Sequence, residues 1–181
     1  ALRVGALLNS SEISRSMRMP LTTLKRYIAL FEMTCLLRLL PSWSGNAGKR
    51  LVKSPKLFFA DSGLASHLVG TDLESSRDDR FKGALLENFV VAELLKQISW
   101  SSLRPSLFHF RTATAHEVDF VLETRDRRVV GIEVKSSGSV QSRDFEGLRI
   151  LEQTLGPKFV RGILLYAGND IVPFAKNLHA V

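Results

Sequence analysis

His116-Glu117-Val118-Asp119-Phe120-Val121-Leu122-Glu123, followed by Gly131-Ile132-Glu133-Val134-Lys135, reads as two apolar-rich strands that each carry acidic groups in their middle. A carboxylate buried in a strand costs free energy unless a partner meets it. Period two places Glu133 and Lys135 on one face and Ile132 and Val134 on the other, so the second strand offers a carboxylate and an ammonium side by side. The turn Arg125-Asp126-Arg127-Arg128 is short enough for a hairpin, which sets Asp119 beside Glu133 on neighbouring strands. An Asp and a Glu converging with a Lys form a minimal site for one or two Mg²⁺ (or Mn²⁺) ions bound through oxygen, with a cation left to stabilise charge. The same alternation also makes a solvated face with a cross-strand ion pair, and the residues alone allow both readings.

Outward from this pair the order of elements is regular. Residues 83–97 read as a helix, 107–111, 118–123 and 129–135 as strands, 143–155 as a second helix and 159–166 as a buried strand. On the first helix Glu87 has Gly83, Ala84, Val90 and Val91 as its neighbours at i±3 and i±4, whereas Glu93 has Lys96 and Gln97 within one turn and reads as a surface residue. A carboxylate in an apolar stripe needs a partner from elsewhere, either the metal site or a core arginine such as Arg111.

This helix, three strands, helix and strand resemble the restriction-endonuclease-like, or PD-(D/E)xK, phosphodiesterases. Asp119, Glu133 and Lys135 match the D and ExK positions, with Val118 where the motif has Pro. The resemblance implies metal-dependent cleavage of DNA phosphodiesters. Asp119, Glu133 and the carbonyl of Val134 would hold the metal, Glu87 would assist, and Lys135 would polarise water or the phosphate. Arg111 and Arg143, at element ends bordering that site, are candidates to contact the scissile phosphate and equally to be surface charges.

The first third of the chain differs in kind. Residues 1–60 hold ten Lys or Arg and two acids, against 15 and 16 in the remainder, so the net charge of +7 arises entirely there. Such asymmetry points to a polyanionic partner. Asn9 with Glu12 reads as a capping box at a helix start, with Ile13 and Met17 on the buried side. After the turn at Met19-Pro20, Leu24, Ile28 and Phe31 recur at helical spacing while Thr22, Thr23, Lys25 and Arg26 face outward. Two helices so joined are a helix-turn-helix. The apolar runs 36–40 and 56–60 then flank Pro41-Ser42-Trp43-Ser44-Gly45-Asn46-Ala47-Gly48-Lys49-Arg50, a loop with the composition of a wing. A winged helix would place Thr22, Thr23, Lys25 and Arg26 of its recognition helix, with Lys49, Arg50 and Lys53 of the wing, against DNA phosphates. Winged helices also serve as protein-interaction domains.

The fold class expected is therefore α/β: an N-terminal winged helix-turn-helix over 1–70, a polar linker at 71–82, and a restriction-endonuclease-like α-β-β-β-α-β core with a mixed sheet over 83–181. Asp61 or Ser62 is placed to cap a short helix through Leu68. The helix-turn-helix, the segment Phe58-Phe59-Ala60-Asp61-Ser62-Gly63-Leu64-Ala65, the helix Leu85-Leu86-Glu87-Asn88-Phe89-Val90-Val91-Ala92-Glu93-Leu94 and the two acidic strands together resemble one family. It is the C-terminal module, long labelled a domain of unknown function, of prokaryotic AAA-type ATPases, and the likeness runs from about Leu8 to Tyr166. It implies an upstream ATPase domain and DNA as partners. An alternative is a nuclease fold that no longer cuts and binds DNA or a protein to regulate that ATPase.

No G-x-x-x-x-G-K-[ST] sequence is present and the chain starts at Ala1 rather than Met. The expectation is a C-terminal fragment that does not itself hydrolyse ATP, the nucleotide belonging to the upstream domain. The 45% hydrophobic content can build true cores, and no apolar run approaches the ~18 residues of a membrane helix, so a cytoplasmic protein without a membrane partner is expected, its oligomeric state left open. The lone Cys35, among apolar neighbours, reads as a small core residue and excludes disulfides within the chain. His67, His109, His116 and His179 lack zinc-ligand spacing, and no nucleophile elbow is visible.

Overall fold

The computed structural model describes residues 1–44, 51–70 and 79–181. Two compact units divide them: Ala1–Leu40 with Ser54–Ala92, and Pro41–Lys53 with Glu93–Val181. This division differs from the one drawn on the sequence in two respects. The loop read as a wing counts with the second unit, and the start of the helix read as opening the second domain counts with the first.

In the first unit, Asn9 accepts the Glu12 N–H at 3.1 Å and starts α1 (Ser10–Ser16). Only half of the capping box forms, because the Glu12 carboxylate turns to Arg3 instead. Helix α1 buries no residue; Ile13 is half-buried, and Met17, expected inside, lies exposed just past its end. Helix α2 (Leu21–Met33) follows directly on Pro20 and buries Leu24 and Ile28, one turn apart. Those two exhaust the face that the unit covers, so Phe31, expected to continue the stripe, is 41% exposed.

The residue after α2's C-cap explains a second departure. Cys35 has φ +57°, with its N–H on the Glu32 carbonyl and the Leu36 N–H on the Phe31 carbonyl. That is a Schellman ending, with Cys35 in the left-handed position that usually takes Gly. The thiol is accordingly exposed rather than in the core.

Strand β1 (Leu37–Leu40) then pairs antiparallel with β2 (Lys56–Phe59), Leu37 opposite Phe59. Asp61 accepts the Leu64 N–H at 2.7 Å to start α3 (Ser62–Val69), which Gly70 closes in the left-handed region. Residues 79–92 of α4 (Asp79–Trp100) complete the unit. There the fully buried Asn88 acts as an extra strand residue, its Oδ1 accepting the Phe59 N–H at 2.7 Å and its Nδ2 donating to the Phe59 carbonyl at 3.2 Å.

The second unit is built on a six-stranded mixed sheet in the order β3-β4-β5-β6-β8-β7: β3 (Ser106–Arg111), β4 (Glu117–Glu123), β5 (Val129–Lys135), β6 (Phe159–Tyr166), β7 (Val172–Ala175) and β8 (Leu178–Ala180). The β3-β4-β5 pairs are antiparallel, β5-β6 and β6-β8 parallel, and β8-β7 antiparallel. Helix α5 (Glu146–Leu155) makes the crossover from β5 to β6, burying Leu148 and Leu151. Its close approach requires glycines: a Cβ on Gly147 would lie 1.9 Å from the Glu117 carbonyl oxygen, and one on Gly131 would lie 2.8 Å from Leu148 Cδ2. Phe110, Val118, Val121, Phe145, Leu148, Leu151 and Leu164 form the centre of the core.

The flanks of the expected wing run along β3. The Trp43 backbone N–H donates to the His109 carbonyl at 2.7 Å and that of Val52 to the Arg111 carbonyl at 2.9 Å. They cover the backbone groups that an edge strand otherwise leaves exposed. Residues 71–78 of the expected linker lie outside the described residues. Among those described, no helix is long and apolar enough to cross a membrane.

Candidate functional site

The ladder between β4 and β5 runs from Glu123↔Val129 to Phe120↔Ile132 and stops there. Beyond that point β5 keeps its partner on the other side, pairing with β6 through Lys135↔Tyr166. Asp119, the first residue of β4 past the last ladder pair, fills the gap with its side chain: Oδ2 accepts the Val134 N–H at 3.0 Å. The residue is only 6% exposed, so the carboxylate is held in place and largely shielded from water.

Two strand positions of β5 complete the cluster. Lys135 Nζ donates to Glu133 Oε1 at 2.8 Å, with Glu133 the more buried partner. Burial alone would push the Lys135 ammonium down. The Glu133 charge and hydrogen bond, with the charges of Asp119 and Asp144, outweigh it and hold the group above the ordinary lysine value. Lys135 is thus a firm cation, suited to stabilising negative charge and unsuited to serving as a resting-state base.

Asp144 escaped the sequence reading. It lies in the 3-10 turn before α5, where its carboxylate accepts the Gln141 N–H at 2.7 Å. The spacing Gln141-x-x-Asp144 ahead of an amphipathic run was the available signal.

Asp119, Glu133, Val134 and Lys135 are therefore brought together. Glu87 belongs to the first unit, where it accepts an ion pair from Lys56 Nζ at 3.3 Å; Arg111 pairs instead with Glu117. The Lys56 partner was hidden because a lysine inside Lys56-Leu57-Phe58-Phe59 resembles the polar start of an apolar strand. Among the described residues, no three His, Cys, Asp or Glu side chains gather as a metal site. Two carboxylates and a backbone carbonyl are nevertheless hard oxygen donors of the kind Mg²⁺ takes, since that ion commonly keeps several waters and uses one or two carboxylates.

On α2, Lys25, Arg26 and Thr22 are exposed and Thr23 is half-buried. Lys53 is exposed in the second unit, next to the segment that pairs with β3. Lys49 and Arg50 lie outside the described residues.

A family model for a domain of unknown function, DUF4143, matches residues 82–181, which include the whole cluster. The chain belongs to the DUF4143 family. Ahead of the DUF4143 part, residues 1–75 match a second domain of unknown function, DUF8612. Uncharacterised proteins of Mycobacterium tuberculosis and Mycobacterium bovis are each 33% identical to this DUF4143 chain across 98% of its length. The chain spans 38% of the length of each of these relatives. No solved structure gives a significant match.

Proposed function

We propose that the second unit is a restriction-endonuclease-like phosphodiesterase acting on DNA, carried as the C-terminal module of an AAA-type ATPase. The observation that carries this reading is the junction where β4 and β5 part. There the Asp119 carboxylate is pinned on the Val134 N–H, beside the Glu133–Lys135 pair.

In this reading Asp119, Glu133 and the Val134 carbonyl hold Mg²⁺. The ion, when bound, polarises a phosphoryl oxygen and lowers the pKa of a bound water. The chain's own residues do the rest. The Val134 N–H fixes the Asp119 carboxylate in one orientation. Glu133 holds Lys135 by its ammonium, and that fixed cation stabilises the charge that builds on the phosphate as the bond to the leaving oxygen breaks.

The test is calorimetric titration with Mg²⁺ and Mn²⁺ together with plasmid nicking, on the wild type, Asp119→Asn, Glu133→Gln and Lys135→Ala. Asp119→Asn keeps an oxygen to accept the Val134 N–H, so the fold should stand while metal binding and nicking go. Lys135→Ala should bind metal and not nick. Folded wild-type protein that neither binds metal nor nicks would refute the phosphodiesterase reading.

One observation favours a second reading for the first unit. A winged helix there would use α2 for recognition, yet α2 exposes Tyr27, Leu30, Phe31 and Met33 beside Lys25 and Arg26. Large apolar side chains clustered on an exposed helix mark protein contacts more than phosphate contacts. In this second reading the helix docks on the ATPase domain, and Lys25→Ala with Arg26→Ala leaves DNA affinity unchanged.

A further inference from the structure

At the other end of the β4–β5 hairpin the second unit has a hollow of about 480 Å³, lined by Ser99, Trp100, Ser101, Ser102, Leu103, Arg104 and Arg125. It lies away from the Asp119 cluster: β3 begins there at Ser106, opposite Glu123 at the far end of β4, and Arg125 is in the β4–β5 turn.

Its charge is one-sided. No acid lines it, and the acids of the turn are already engaged, Glu123 by Arg127 and Asp126 by Arg128. The Arg125 and Arg104 guanidinium groups have no ion pair among the described residues, and the backbone holds Arg104 at φ +40°, a conformation that L residues seldom adopt. Three carbonyls near the end of α4 are already engaged within the chain. Gln97 and Ile98 receive the Ser101 N–H, and Lys96 receives the Ser99 hydroxyl at 2.7 Å. Trp100 is 72% exposed on the same wall.

We infer that this hollow binds a nucleotide unit, with Trp100 stacking on the base and Arg104 and Arg125 holding the phosphate. Two guanidinium groups without acidic partners beside an exposed indole are the combination that recognises single-stranded nucleic acid without reading its sequence. The volume suits one nucleotide. The shared chemistry is a phosphate ester on a planar base, supplied by a strand of DNA or by a free nucleotide.

The chain carries its own reporter. Trp43 is 4% exposed, so quenching of the remaining tryptophan, Trp100, reports base stacking at this place. Oligothymidylate and thymidine monophosphate are titrated against the wild type, Trp100→Phe, Trp100→Ala and Arg104→Ala/Arg125→Ala. Chelator is present throughout, so that the outcome is independent of the Asp119 cluster. The wild type should show saturable quenching. Binding followed by the anisotropy of a labelled oligonucleotide should weaken about tenfold in Trp100→Ala and be largely kept in Trp100→Phe. In the double arginine variant the slope of log affinity against log salt should become shallower by about 0.7 for each phosphate that is no longer neutralised. Tighter binding of the oligonucleotide assigns the hollow to a strand, and equal binding of the monophosphate assigns it to free nucleotides. Absence of quenching, or an affinity unchanged in Trp100→Ala and in the arginine variant, overturns the inference.

Discussion

Removing Glu87 decides whether that carboxylate serves the metal site or the first unit. Its partner Lys56 is 3% exposed and donates to it at 3.3 Å, while the Glu87 side chain is 23% exposed. Truncating one member of a buried ion pair removes its attraction for the other, at a cost of about 3–5 kcal/mol. Because water reaches Glu87, the lower end applies, about 3 kcal/mol. Glu87→Ala and Lys56→Met should each cost about this much, and Lys56→Met with Glu87→Leu should return to within about 1 kcal/mol of the wild type. Urea denaturation reads this directly. Both tryptophans lie in the second unit, and four of the five α-helices among the described residues lie wholly or partly in the first. Helical ellipticity is therefore weighted to the first unit and indole fluorescence reports the second. At a slope of about 1–3 kcal/mol per molar urea, the ellipticity midpoint should fall by about 1–3 M in each single variant. A Glu87→Ala protein that melts like the wild type yet no longer binds Mg²⁺ would refute the reasoning and return Glu87 to the catalytic cluster.

Other expectations rest on single interactions. Lys135 has a raised folded pKa, so its contribution to stability should be fully present below the unfolded value of about 10.4 and be lost as pH rises through the higher folded value. Glu133→Gln should lower its titration point, read by the pH dependence of lysine acylation. Gly147→Ala forces a methyl group against the Glu117 carbonyl and should cost about 3 kcal/mol or more, seen as a lower fluorescence midpoint in urea. Asn88→Ala leaves the Phe59 N–H and carbonyl buried without this partner. Thermal melting followed by ellipticity should show a loss of about 2–6 kcal/mol, counting about 1–3 for each of the two buried groups.

The second unit was largely legible because its sequence is periodic. Alternation marked β4 and β5, and the run from Arg143 to Leu155 marked α5. The register that puts Asp119 beside Glu133 followed from one short turn. The strands β7 and β8 went unread because each is short, one holds Pro173, and a parallel partner such as β6 leaves no local trace. In the first unit, local signals misled in a consistent way. Met17, Phe31 and Cys35 are apolar residues whose neighbours suggested burial. Met17 and Phe31 are exposed because a two-turn helix and a two-stranded sheet cover so little surface, which no window of sequence records, and Cys35 because it takes the left-handed position that ends α2. The pair Lys56–Glu87 and the bridge from Asn88 to Phe59 join residues about thirty positions apart, and only the folded chain brings them within reach.

The fixing of Asp119 on the Val134 N–H also bears on how sequences related to this one are to be read. That carboxylate closes a gap in a sheet whether or not any bond is ever cut, so a descendant that had lost catalysis would still be under pressure to keep an acceptor there. Lys135 carries no comparable architectural duty, since its half-exposed ion pair with Glu133 sits at the very end of β5. A relative with the Asp but a neutral residue at the Lys position would mark a lineage in which the scaffold outlived the chemistry.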